Sequence, residues 1–348
     1  MRTLTIALAL SSMLTVEQRD PRRAHLDPPS AAVSADGRYV AFTTFSQLAP
    51  ADRDDCRDVY VLDRHDNRVT LETIRFEGYS SDSSHPGISG DGRYLIYESA
   101  SQIVLKDRRG DSTRILGEGR QPAISKDGRV AAFTSDTRKD IFVWTVDNIS
   151  NLASLSRGTA PGRVGSPVSP SLSDDGRYLA FSAAGALYVH DRQERTTEHL
   201  GDGWDPALSA DGRYIAYVAK VRRVANVLVM DRASRKFQVI SRSWKHRAAN
   251  GASVNPVISA DGRWVAYQSE ASNLVEDEDF NLLWDVFVFD RERGLTTRIS
   301  GDPDGGWMEP SGGPALDATG ATVAFSSRHP TDVSDKKNDF DLFVANVR

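Results

Sequence analysis

Apolar and polar positions along this chain alternate in short bursts, and the bursts recur. At Ser34–Phe42 the sequence reads SADGRYVAF. The phrase returns as SGDGRYLIY at Ser89–Tyr97, SKDGRVAAF at Ser125–Phe133, SDDGRYLAF at Ser173–Phe181, SADGRYIAY at Ser209–Tyr217 and SADGRWVAY at Ser259–Tyr267. A worn seventh copy, LDATGATVAF, ends at Phe325. Asp-Gly between two apolar runs signals a hairpin, because glycine reaches the positive φ that the turn requires. The run after it is rich in β-formers and predicts a strand. The run before it, usually Pro-x-apolar-Ser as in Pro86-Gly-Ile-Ser89, predicts a shorter one.

A third strand follows in every copy: DVYVLDR, QIVLKDR, DIFVWT, ALYVHDR, NVLVMDR, DVFVFDR and DLFVANV. Six copies add a fourth, such as RVTLETI or TTEHLG. Four antiparallel strands repeated at intervals of 36 to 58 residues predict an all-β fold, a seven-bladed antiparallel β-propeller in a single domain over residues 13–348. The residue after the proline is small: Gly87, Ala123, Ser171, Ala207 and Ala315. That places each first strand nearest the axis, where neighbouring sheets converge. Leucine at Ala123 or Ala207 should therefore overpack, whereas leucine at Ala210 in the hairpin turn should do little. The seventh copy has no fourth strand before Arg348. MLTVEQ (13–18) sits at the offset from Ser34 that the preceding fourth strand has from Ser259, and is expected to close the ring.

The pattern P-x-Φ-S-x-D-G-R-Y-Φ-A-F, then D-Φ-[FY]-V-Φ-D-R, then T-T-R-Φ-S, resembles the TolB-like propeller repeat of bacterial extracytoplasmic proteins. The likeness runs from about residue 13 to 348. Departures are Ala31 in place of proline, Val130 in place of tyrosine, and the altered turn of the seventh copy. The resemblance implies a periplasmic or secreted binding scaffold. It does not imply one ligand, because fold does not set function.

Composition narrows the classes. With 43 Lys+Arg against 48 Asp+Glu, the net charge of −5 argues against a nucleic-acid surface. No stretch is apolar enough to cross a membrane. The one cysteine, Cys56, allows no internal disulfide. Residues 1–12, with LTIALAL after Met1-Arg2, read either as the remnant of a signal peptide or as a strand. A monomer is expected.

In a four-stranded blade the connections alternate between two faces. The DGR hairpins and the turns after the third strand share one face, and are short and uniform. The second-to-third-strand loops and the inter-blade loops share the other, and vary. Variable loops on a rigid frame are where function concentrates. This variable face is expected to recognise a protein or polysaccharide of the cell envelope. Around its channel mouth should lie the residues preceding the prolines, Ser30, His85, Gln121, Ser169, Asp205 and Asn255. They suit a ligand ring or strand-start capping. Trp204, Trp244 and Trp307, assigned to inter-blade loops, suit a sugar or peptide, or plug gaps between blades.

No G-x-S-x-G elbow and no H-E-x-x-H pair occurs. A carbohydrate-active enzyme, lyase or glycoside hydrolase, with its site at the mouth stands as the alternative to a binding module. Three long second-to-third-strand loops are acidic. Asp52-x-Asp54-x-x-x-Asp58 precedes the third strand of repeat one, and Asp279-x-Asn281-x-x-x-Asp285 precedes that of repeat six, in the same register. Such oxygen-rich loops suit Ca²⁺. Asp and Asn also make turns without any ion.

Overall fold

The computed structural model describes residues 30–74, 81–135, 137, 139–145, 148–154, 167–276, 283–300, 310–327 and 341–347. Among them are seven antiparallel sheets, six of four strands and one of three. The blades span residues 31–71, 83–118, 120–154, 167–202, 204–239, 253–298 and 311–346. The third strands predicted from the repeats are found, Asp58–Asp63 and Asp285–Asp290 for example. Blade seven has three strands among the described residues. The expected closing strand at 13–18 and the segment 1–12 lie outside them.

Each turn glycine has a φ between +67° and +73°, the region that favours glycine. The serine ahead of it organises the turn. Ser34 Oγ donates to Asp36 Oδ1 at 2.6 Å and accepts the Tyr39 N–H at 2.9 Å, while Asp36 Oδ1 accepts the Arg38 N–H at 3.0 Å. The same three bonds recur in blades two to six, for instance through Ser209 and Asp211. In blade seven Asp317 stands at the serine position and accepts the N–H groups of Thr319 and Ala321. A lost serine is thus replaced by a carboxylate that does both jobs.

The turn arginine then ties the first hairpin to the second. Arg38 makes two bonds to Asp63, at 2.9 and 2.7 Å, and Arg93, Arg177, Arg213 and Arg263 repeat this on Asp107, Asp191, Asp231 and Asp290. The arginine after each of those aspartates points back. Arg64, Arg108, Arg192, Arg232 and Arg291 donate to the turn-glycine carbonyls of their own blades at 2.5–2.8 Å. Three of them also lie over a tyrosine of the preceding blade, Arg108 on Tyr39, Arg232 on Tyr178 and Arg291 on Tyr214. In these three blades Asp-Arg is therefore an inter-blade strut.

Burial joins the blades. A stack of second-strand and third-strand aromatics, such as Phe42 on Tyr60 and Tyr267 on Phe287, fills blade interiors. The buried clusters bridge neighbouring blades, and one brings Val33, Val40 and Phe42 of blade one against Ala315, Ala324 and Leu342 of blade seven. The ring also closes by hydrogen bonds around the axis. Ala35 N donates to Gly90 O, Gly90 N to Lys126 O, Asp174 N to Ala210 O, Ala210 N to Ala260 O, Ala260 N to Ala318 O, and Ala318 N back to Ala35 O, at 2.7–3.1 Å. Between blades three and four the donor is Asp127 N, one residue along.

A central channel of about 250 Å³ runs inside the first strands, and Gly87, Ala123, Ser171, Ala207 and Ala315 line it as expected. Ala210 lines it too. The x of S-x-D-G thus belongs to the hydrogen-bonded ring, and its Cβ has the lumen as its space.

Candidate functional site

In six blades the proline of the first strand sits beside a β-bulge. The register of the first two strands shifts between Ser84 and Gly87, Val168 and Ser171, Trp204 and Ala207, Val254 and Val257, and Gly312 and Ala315. At each bulge the residue before proline is left-handed: His85 at φ +51°, Gln121 at +50°, Ser169 at +54°, Asp205 at +50°, Asn255 at +52° and Gly313 at +61°. The motif places six backbone positions at the start of the first strands, next to the channel-lining residues Gly87, Ala123, Pro170, Ala207, Val257 and Pro314. Position-by-position reading of the repeats found these residues but not their conformation. The signal was there: His, Asp and Asn are the types enriched at positive φ.

The bulges bring neighbouring side chains together. His85 N donates to Ser30 Oγ at 3.2 Å. Ser169 N donates to Gln121 Oε1 at 3.0 Å, and Ser169 Oγ donates to Asp205 Oδ1 at 2.8 Å. Gln121, Ser169 and Asp205 thus form a polar chain across blades three, four and five. Burial pushes the Asp205 carboxyl above its ordinary value, and the Ser169 hydroxyl offsets only part of that. His85 and Asn255 are exposed. His85 Nδ1 lies 3.5 Å from Glu98 Oε2 and 3.0 Å from Ser84 Oγ.

At the hairpin end the channel holds one lysine. Lys126 Nζ donates to the Val33 carbonyl at 2.9 Å. Burial drives its amine below the ordinary value, while Asp174 and Asp317 pull the other way. The other copies carry Ala, Gly or Asp at this position, so the lysine was legible as an oddity. Its place inside the channel was not.

The tryptophans separate. Trp204 is not in a loop: it begins the first strand of blade five, pairs with Val218 and is partly buried. Trp244 is in the loop between blades five and six and is 43% exposed. Trp307 lies outside the described residues.

In blade one, Asp52, Asp54 and Asp58 converge, with one carboxylate oxygen of each within 4.8 Å of the others. That span matches two ligands on opposite sides of one ion with bonds of about 2.4 Å. Asp52 and Asp58 are buried. The Tyr60 hydroxyl donates to Asp52 Oδ2 at 2.6 Å, and burial together with that carboxylate drives the phenol upward. Asp54 Oδ1 accepts the Cys56 N–H at 3.0 Å. All donors here are oxygens, the set hard cations such as Ca²⁺, Mg²⁺ and Mn²⁺ prefer. In blade six Asp279 and Asn281 lie outside the described residues. Asp285 is buried and accepts the Ser300 hydroxyl at 2.6 Å, so it has a scaffold bond of its own.

No family model and no curated protein matches the sequence. Solved structures do match the coordinates. An oligogalacturonate lyase in complex with manganese has a TM-score of 0.61 at 13% identity, over 92% of this chain and 88% of that one. The β-propeller domain of Cps50 (Swd1) from Myceliophteria thermophila has a TM-score of 0.59 at 12% identity, over 91% of this chain and 96% of the other. A structure reported as TolB from Agrobacterium tumefaciens has 17% identity and a TM-score of 0.49, over 66% of this chain and 83% of that one. At these identities the shared feature is architecture alone: the chain has the β-propeller fold, in seven antiparallel blades.

Proposed function

We propose that the protein is an extracytoplasmic binding or assembly module that grips a protein or polysaccharide of the cell envelope on its variable face. The observation that carries this reading is the run of left-handed residues at the mouth, from His85 round to Gly313. Backbone strain costs of order 1–3 kcal/mol per residue and persists where a site needs it. Here it recurs at one depth, on one face, beside polar side chains. In this reading Ser30, His85, Gln121, Ser169, Asp205 and Asn255 meet the ligand, with Trp244 beside them. The repeat's resemblance to TolB-like proteins supports a periplasmic or secreted location, and the protein acts as a monomer. In the described residues no helix is long and apolar enough to cross a membrane.

Asp52, Asp54 and Asp58 hold Ca²⁺ in this reading, which orders the blade-one loop, with Asp279, Asn281 and Asp285 as the blade-six counterpart. Calorimetric titration with Ca²⁺ and Mg²⁺ tests it. No heat of binding and unchanged melts at millimolar calcium would remove the ion from the reading.

A second reading is a carbohydrate-active enzyme. The buried Asp205 carboxyl favours it, because a raised pKa suits a general acid, and a lyase shares the fold. The two readings separate by experiment. A photo-crosslinking residue at Asn255 and another at Arg195 on the hairpin face are exposed to an envelope fraction. Adducts from position 255 alone support the binding face, and equal labelling at both positions defeats it. Release of unsaturated sugar from uronate polymers, lost in Asp205→Asn, would establish the enzyme.

A further inference from the structure

In five blades the turn arginine pairs with an aspartate and the arginine after that aspartate bonds a turn carbonyl, while Arg129 of blade three has no such side-chain bond among the described residues. Against that background one group of cations stands apart. In blade five the second and third strands, Tyr214–Val221 and Val224–Asp231, have eight residues each, where the corresponding strands of the other blades have six. This ribbon projects further from the variable face. Its tip is Arg222-Arg223, at φ +51° and +74°, with Lys220 exposed just before it. Two left-handed residues make the turn that Asn-Gly favours. Other blades make the same turn with Ala100-Ser101 or Ala184-Gly185. The turn itself therefore does not call for two arginines.

The loop that leaves the same blade supplies the rest. Ser241 Oγ donates to Asn226 Oδ1 at 3.2 Å and accepts the Val227 N–H at 2.9 Å, so the loop starts at the base of the ribbon. It reads Arg242-Ser-Trp-Lys-His-Arg247. Arg242, Lys245, His246 and Arg247 are exposed. The loop is held firmly. Trp244 N donates to Asn273 O at 3.1 Å, Ser243 N to Arg247 O at 3.1 Å, and Asn250 Nδ2 to Ser272 Oγ at 2.8 Å. Lys245 Nζ lies 4.4 Å from the centre of the Trp244 ring. Among the described residues none of these lysine and arginine side chains enters an ion pair.

We infer that this rim between blades five and six binds an acidic polysaccharide, a chain of carboxylate-bearing sugars. The inference rests on the variable face being the binding face, and names the ligand class it takes. Unpaired cations on two rigid supports, in a protein of net charge −5, form a local field that a polyanion would satisfy. A lysine- and arginine-rich stretch of this length is a polyanion patch by composition. The exposed indole offers a flat apolar face to a sugar ring, while the guanidinium forks match carboxylates. A single-stranded nucleic acid fits less well. It is gripped by successive aromatics along a basic groove, and here, among the described residues, Trp244 is the one exposed indole.

The test uses the full chain and alginate-derived oligouronates, with neutral cello-oligosaccharides, oligo-dT and polyglutamate of matched length as comparisons. Oligouronate should bind and the neutral sugar should not. Arg222→Glu/Arg223→Glu and Arg242→Glu/Arg247→Glu should each weaken oligouronate binding by about tenfold or more and flatten its salt dependence between roughly 50 and 200 mM. Trp244→Ala should weaken it with the salt slope kept. Arg129→Glu/Arg195→Glu, the same charge change on the hairpin face, should change affinity less than about twofold. Thermal melts show that each variant is folded. The inference is overturned if oligouronate does not bind, if the hairpin-face reversal weakens it as much as the others, or if oligo-dT or polyglutamate binds more tightly. Should Asn255 still crosslink a partner in any of those cases, this site falls while the binding face stands.

Discussion

The two faces of this ring obey different rules. On the hairpin face five of the seven blades repeat one arginine–aspartate solution, and the polar groups of those turns are consumed by the frame. Arg93, Arg177 and Arg213 hold Asp107, Asp191 and Asp231 in two-pronged pairs that pull those carboxyls down to about 2. The turn glycines meet side chains of the blade before. A Cβ on Gly212 would lie 2.4 Å from Tyr178 Cδ2, and one on Gly262 2.3 Å from Tyr214 Cδ2. On the variable face the backbone bulge recurs in six blades, but the side chains it carries and the lengths of the loops differ from blade to blade. Gly185 there has nothing within 4 Å of its Cβ direction, and the blade-five cations are unpaired. A face that spends its polar groups on itself has few left for a ligand, which supports the proposal that recognition belongs to the other.

Four experiments would break or sharpen that contrast. The largest effect is expected at the close glycines. Gly212→Val should cost roughly 3 kcal/mol or more, since positive φ and a clash with Tyr178 act together. Gly185→Ala on the variable face should cost only about 1–2 kcal/mol, the φ penalty alone. Urea denaturation measures both, and equal losses would erase the distinction between the faces.

Next comes the channel. Ala207→Leu should lose about 1–3 kcal/mol by overpacking against the first strands. Ala210→Leu, whose side chain has the lumen to enter, should lose less in the same denaturation experiment.

The repeated ion pairs set an acid limit. The folded pKa of Asp107, Asp191 and Asp231 is about 2, below the ordinary 3.8. Their contribution is therefore present above about pH 4 and is lost as the pH falls through about 2. In Arg177→Ala the melting temperature should fall at neutral pH, and its acid dependence between pH 4 and 2 should flatten.

The smallest effect is expected at the mouth. The raised pKa of Asp205 means that ionisation costs stability as the pH rises above 3.8. Asp205→Asn should then melt slightly higher than the natural protein at pH 7, with no difference at pH 3, while ligand binding falls. A mouth residue that destabilises the frame is one the frame does not need. A lower melting point for Asp205→Asn would mark Asp205 as structural instead.

Much of this was legible from residues alone. Ser-x-Asp-Gly-Arg and the strand patterns around it determine the hairpins, because each rule they obey is local: a left-handed glycine, a serine within reach of its own turn, alternation along a pleat. The small residues after proline placed the first strands on the axis, since repetition turns a local size constraint into a global one. Asp52, Asp54 and Asp58 were legible as a group because they are close in sequence. Trp204 was misplaced, because a bulge extended the first strand back past the proline. Tertiary structure alone decided which partner each repeated group would take. Arg108 finds Tyr39, Gly212 finds Tyr178, and Arg64 reaches Thr322 across the closing seam. These contacts join residues 34 to 258 positions apart, and nothing in a residue's own neighbourhood encodes them. The same holds for the absence of partners. Arg177 and Arg222 are the same residue type on exposed turns, and only the folded ring shows that one has an aspartate opposite it and the other faces solvent.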